Sequence, residues 1–194
     1  MWTIPNQITI FRIILVPIFL IVFYLPVEWS HFGAAFVFWL ASISDALDGY
    51  IARKLKQSAP FGAFIDPVAD KLMVVAALVV IVEDFQSIWI SIPAVIMIAR
   101  EVFISALREF MAERGKRDDV AVSVLGKYKT AAQMLALIGL IWQPDYPIPL
   151  ILFDLPAVVL NYTAYFLFAV ATVLTFWSMV VYIKAALNEL LVNK

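Results

Sequence analysis

Cysteine is absent from this 194-residue chain, so disulfides and thiolate metal centres are excluded, and the redox compartment stays open. Charge is scarce: 15% of residues are charged against 64% hydrophobic. A mean hydropathy of +0.94 is far above that of a soluble domain. There is no basic run, and a net charge of −1 implies no nucleic-acid partner. Internal repeats, low-complexity tracts and a second domain are also missing, which predicts one domain over residues 1–194. The amino terminus lacks both a basic stretch and a small-residue cleavage site, so the first apolar run reads as a retained helix.

What remains is apolar sequence, cut into six segments at about 6–25, 32–54, 60–83, 87–112, 127–143 and 158–187. Each is long enough to cross roughly 30 Å of hydrocarbon at about 1.5 Å per residue. The expectation is an all-α polytopic membrane protein with six transmembrane helices. Breakers separate the segments at Pro26, at Pro60 and through Pro144, Pro147 and Pro149. The proline-rich stretch 144–157 predicts a short interfacial element. His31 is expected in an interfacial loop, and Trp29, Trp89 and Trp142 in an aromatic belt.

Lys and Arg are missing from the connections around 26–31, 83–87 and 143–157. Arg53, Lys54, Lys56, Arg114, Lys116, Arg117, Lys127, Lys129, Lys184 and Lys194 all fall toward the opposite side. The positive-inside rule then puts both termini in the cytoplasm.

Against this background four aspartates stand out. Asp45, Asp48, Asp66 and Asp70 follow the pattern D-x2-D-G-x2-A-R-x8-G-x3-D-x3-D, with Gly49, Ala52, Arg53 and Gly62 at its other fixed positions. An unpaired charge at the centre of a bilayer costs at least about 2.5–3.5 kcal/mol, so intramembrane acids mark function. Residues three or four apart share a helix face, so Asp45 with Asp48, and Asp66 with Asp70, can meet in one cavity between antiparallel helices. Counting back from Arg53, Asp48 and Asp45 lie about 7 and 12 Å of helix rise from the cytoplasmic end. The set reads as a site for two divalent ions. All-oxygen ligation favours Mg²⁺ or Mn²⁺ over Zn²⁺, with Ca²⁺ as an inhibitory competitor. Gly49, Ala52 and Gly62 suit either helix packing or close approach of a bulky ligand, and Arg53 either snorkels or meets a phosphate.

The complete pattern resembles the signature of the CDP-alcohol phosphatidyltransferases, membrane enzymes that move a phosphatidyl-type group from a CDP-linked donor to an alcohol and release CMP. Asn6, Thr9, Arg12 and Pro17, the run from Ala99 to Glu109 and the run from Gly126 to Thr130 resemble the branch that uses glycerol 3-phosphate. The likeness runs from about residue 3 to 142 and resumes near 160, the proline-rich stretch between being longer than in that branch. The resemblance implies a bacterial cytoplasmic-membrane enzyme, a homodimer among membrane lipids, that transfers the phosphatidyl group of CDP-diacylglycerol to sn-glycerol 3-phosphate. It further implies that Asp45, Asp48 and Asp66 hold the metals and that Asp70 is the catalytic base and a fourth ligand. Gly49, Ala52, Arg53 and Gly62 would border the CDP moiety.

An acceptor that carries its own phosphate needs cations, and Arg100, Arg108, Lys127 and Lys129 are the candidates. Membrane orientation alone accounts equally for Lys127 and Lys129. Asn6, Thr9 and Arg12 recur every three residues on one helix face, where they line the nucleotide site or bond between helices. Two other functions stay open: the same chemistry with another alcohol, as in cardiolipin, phosphatidylserine or phosphatidylinositol phosphate synthesis, and divalent-cation transport. Transport asks for polar residues continuing across the bilayer. Outward of Asp45 only Ser42 and Ser44 are nearby, which disfavours it.

Overall fold

The computed structural model describes residues 4–55, 60–113, 124–149 and 154–192. For residues 4–6, 45–55, 60–67, 70, 108, 112–113, 124–127 and 185–192 it describes the main chain alone.

Each apolar segment forms a helix: α1 (Ile4–Phe23), α2 (Ser30–Leu55), α3 (Pro60–Phe85), α4 (Ile88–Glu113), α5 (Val124–Trp142) and α6 (Ala157–Val192). The helices extend the expected bounds by a few residues, most clearly in α6. Its 36 residues span about 54 Å, more than a hydrocarbon core requires. Neither glycine nor proline interrupts 157–192, so nothing in the chain stops the helix at the end of its apolar stretch. Pro17 and Pro93 lie inside α1 and α4.

The proline-rich connection takes a defined form, and one departure from the sequence expectation lies at a helix end. The proline-rich connection forms a two-stranded antiparallel ribbon, β1 (Ile148–Pro149) with β2 (Asp154–Leu155). Proline is excluded from helix interiors but tolerated on a strand edge. His31 is not in a loop. It is the second residue of α2, with Nδ1 3.1 Å from the Ile141 carbonyl and its ring 4.8 Å from that of Phe23. Gln86 and Gln143 close α3 and α5 at positive φ of 45° and 42°. Their main-chain N–H groups donate back to Val82 and Gly139, the left-handed cap that usually falls to glycine. The Gln143 side chain then donates to Asp84 at 2.7 Å, tying the ends of α3 and α5 together.

The helices close into a ring in the order α1, α2, α5, α6, α4, α3 and back to α1, with α3 also touching α2 and α5 across it. One core fills the half of the ring near the α1–α2, α3–α4 and α5–α6 connections. Phe19, Phe38, Leu78, Ile81, Met97, Leu137, Leu140 and Ile141 are fully buried there. Phe19 and Phe38 meet with ring centroids 6.3 Å apart. The tightest contact is between α5 and α6, where a Cβ added to Gly139 would stand 2.5 Å from the Cβ of Ala164. Small residues let helices in an apolar surround approach until their backbones pack.

The outside of the ring is apolar too. Ile14, Ile21, Phe36, Val79, Ile92, Val95, Phe166, Val173 and Trp177 are all exposed, a surface water would penalise and lipid would not. Trp29 and Trp89 are exposed at the starts of α2 and α4, while Trp142 packs edge-on against Phe32 at 5.5 Å. Among the described residues, Ile88–Met111 and Ala157–Lys184 are long and apolar enough to cross a membrane. Gln7–Phe23 and Ser30–Ser44 are apolar but shorter.

Candidate active site

Polar side chains gather in the other half of the ring, near the α2–α3 and α4–α5 connections. Asp45, Asp48, Gly49, Ala52 and Arg53 follow one another along the last turns of α2, and Gly62, Asp66 and Asp70 along the first turns of α3. Both helices pack on α1 and touch each other. The conformation there is helical throughout, so the three- and four-residue spacings do place each aspartate pair on one helix face. Their side chains, with those of Asn6, Arg108 and Lys127, lie outside the described residues. Among the side chains that are described, no three acids or histidines come together.

From α1, Thr9 and Arg12 enter the same half and are buried. Ser42 and Ser44, on α2 just before Asp45, donate to the carbonyls four residues back, Phe38 at 2.9 Å and Leu40 at 2.8 Å. Bonding back to its own helix satisfies a serine hydroxyl within an apolar bundle.

Across the ring, α4, α5 and α6 build a second polar group. Adjacent helix residues point about 100° apart, yet Arg100 Nη1 reaches round to donate to Oε1 of Glu101 at 2.7 Å. Lys129 Nζ, on α5, donates to the same oxygen at 2.7 Å. Arg100 Nη2 continues to Ser178 Oγ on α6 at 3.4 Å, and the guanidinium lies 5.9 Å from the centroid of the Tyr182 ring. Arg100 and Lys129 are almost wholly buried, at 8% and 3% exposure. Of the four cations assigned from sequence to an acceptor phosphate, these two are therefore brought together on a shared carboxylate.

The contribution of α6 was not read from the sequence. Thr175, Ser178 and Tyr182 are buried on one face, spaced three and four residues apart in an otherwise apolar run. That periodicity was the available signal. Gln133, one turn beyond Lys129, is buried as well, and the same rule would have found it.

A divalent centre fits the residue types at hand. Four carboxylates, no thiol and no imidazole form a hard, all-oxygen donor set. They sit at helical spacing on two neighbouring elements, in the half of the molecule that buries Thr9, Arg12, Arg100, Lys129 and Ser178.

A sequence model of the CDP-alcohol phosphatidyltransferases matches residues 2–183. Proteins named CDP-diacylglycerol–glycerol-3-phosphate 3-phosphatidyltransferase from Escherichia coli K12, Shigella boydii and Shigella sonnei are each 50% identical to this chain over 190 residues, covering 98% of it and 98% of themselves. With a family model matching residues 2–183 and likeness to these relatives running nearly end to end, the chain belongs to the CDP-alcohol phosphatidyltransferase family.

Proposed function

We propose that this chain transfers the phosphatidyl group of CDP-diacylglycerol to sn-glycerol 3-phosphate, giving phosphatidylglycerol phosphate and CMP. The observation that carries the reading is its 50% identity, over 98% of both chains, to proteins named for that reaction. The protein is a single domain of six membrane-spanning helices in a bacterial cytoplasmic membrane. Both termini and the polar half of the ring face the cytoplasm, where both water-soluble partners, CMP and glycerol 3-phosphate, are found. A homodimer is the expected assembly.

In this reading Asp45, Asp48 and Asp66, with Asp70, would hold two Mg²⁺ or Mn²⁺ ions. Divalent ions bound there would neutralise the diphosphate and the departing CMP. The protein's own residues do the rest. Asn6, Thr9, Gly49, Ala52, Arg53 and Gly62 border the CDP moiety, the small residues admitting it close to the backbone. Arg100, Arg108, Lys127 and Lys129 supply the positive charge that holds the acceptor's phosphate beside an anionic donor. Asp70 takes the proton from the acceptor hydroxyl as its oxygen bonds to the phosphatidyl phosphorus and the bond to CMP breaks in line.

Among the described residues, the apolar packing of one half and the helix-bonded hydroxyls of Ser42 and Ser44 speak for a transferase over an ion transporter. The direct test offers the purified protein labelled CDP-diacylglycerol with glycerol 3-phosphate, serine, inositol phosphate or phosphatidylglycerol, in Mg²⁺ or Mn²⁺. CMP release with glycerol 3-phosphate at least about tenfold above the others supports the reading. A preference for another alcohol replaces it.

A further inference from the structure

The cluster on α4, α5 and α6 is unbalanced. Two buried cations share a single carboxylate oxygen, so these three residues keep one unit of positive charge in excess. Among the described residues, Arg100 Nε is buried and has no hydrogen-bond partner. Lys129 has three ammonium donors and Arg100 five guanidinium donors, more than the bonds to Glu101 and Ser178 occupy. In an apolar surround an uncompensated cation is costly, and the cost falls when an anion completes it.

The cluster also spans a gap. α4 packs on α3 and α6, and α5 on α2 and α6, but α4 and α5 make little direct contact. The Glu101–Lys129 pair is a polar link between them. Glu101 is the centre of this arrangement, since without its carboxylate Arg100 and Lys129 would repel each other and neither would keep its place.

We infer that Glu101 is a positioning residue for acceptor recognition: its one oxygen fixes where Arg100 and Lys129 stand and leaves the cluster short of one negative charge, which the phosphate of a phosphorylated alcohol supplies. This rests on the assignment of glycerol 3-phosphate as acceptor. Glu101 touches no substrate. It acts through Lys129 and Arg100, so its removal loses acceptor affinity and leaves the donor site as it was.

The test is a kinetic cycle on the full-length protein in lipid-detergent micelles, using Glu101→Gln, Lys129→Met and the double variant. Glu101→Gln should raise KM for glycerol 3-phosphate at least about tenfold while KM for CDP-diacylglycerol stays within about twofold. The double variant should be clearly less impaired than the product of the two single effects, because both changes remove the Glu101–Lys129 interaction. Equal changes in both KM values, or effects of the two substitutions that simply multiply, would overturn the inference and leave Glu101 a structural ion pair. Should Glu101→Gln not fold, Glu101→Asp keeps the charge, shortens the reach and carries the same comparison. Wild-type turnover separates this inference from the acceptor assignment. If the wild type uses glycerol 3-phosphate and the cycle fails, only the role of Glu101 falls. If it uses another phosphorylated alcohol the assignment falls and the cycle is read with that alcohol, whereas preference for an unphosphorylated one overturns both.

Discussion

The two halves of the helix ring are built on opposite principles. Toward the α1–α2, α3–α4 and α5–α6 connections, α1 and α2 bury Phe19 and Phe38. Toward the other end the same two helices bury Thr9, Arg12 and Ser44 and carry Asp45 and Asp48. On α4, Ala94 and Met97 are buried in the apolar half and Arg100 one turn further on; on α5, Leu137 and Leu140 are followed in the reverse direction by Gln133 and Lys129. Each of these helices crosses from one regime to the other within a turn or two. The difference teaches that apolar packing in one half supplies the rigidity that lets the other half concentrate charge. Carboxylates and cations repel among themselves and gain little from desolvation. Close packing elsewhere must oppose that cost.

The largest expected effect comes from removing a metal ligand. Asp45→Asn, Asp48→Asn or Asp66→Asn keeps the side-chain shape but loses a charge, and CMP release should fall to background while the melting temperature of the metal-free protein does not drop. Near-normal turnover of any one of these in saturating Mg²⁺ would remove that residue from the site. Asp70→Asn should be milder. A lost general base costs about 10²–10⁴ in rate, so kcat falls at least about a hundredfold and raising the metal concentration does not restore it. Rescue by metal would make Asp70 chiefly a ligand.

A smaller effect belongs to the acceptor cations. Arg108→Ala or Lys127→Ala should raise KM for glycerol 3-phosphate about tenfold or more, roughly 1.4 kcal/mol, with KM for CDP-diacylglycerol little changed. Equal changes for both substrates would leave these residues to topology alone. The smallest effect on catalysis belongs to the apolar half. Phe38, fully buried against Phe19, should cost about 3–5 kcal/mol of stability when cut to alanine, read as a lower melting temperature. Turnover per folded molecule and both KM values should stay within about twofold. A selective loss of acceptor affinity in Phe38→Ala would break the division between the halves.

The apolar half was the more legible in sequence. Long apolar runs between breakers define helices almost unaided, and α1 to α5 begin and end within a few residues of expectation. The carboxy-terminal extension of α6 was missed because hydropathy marks a bilayer and not the end of a helix. The strand pairing of Ile148 and Pro149 with Leu155 and Asp154 was missed because two-residue strands have no periodicity to read. In the polar half, the aspartate motif is local along the chain, so spacing alone proposed it. The Arg100–Glu101–Lys129 group joins residues 28 positions apart through a ring order that no spacing encodes. Sequence offered Arg100 and Lys129 as separate cations. Their common dependence on one oxygen required the fold.

The proposed function requires that carboxylates from α2 and α3 make one divalent-metal site in the polar half. Counting bound Mn²⁺ on the purified full-length protein by electron paramagnetic resonance tests it most directly. Two ions per chain are expected in the wild type, and loss of tight binding when either helix is altered, by Asp48→Asn on α2 or Asp66→Asn on α3. Unchanged Mn²⁺ binding in either variant, while the other loses it, would show that the two helices do not share a site.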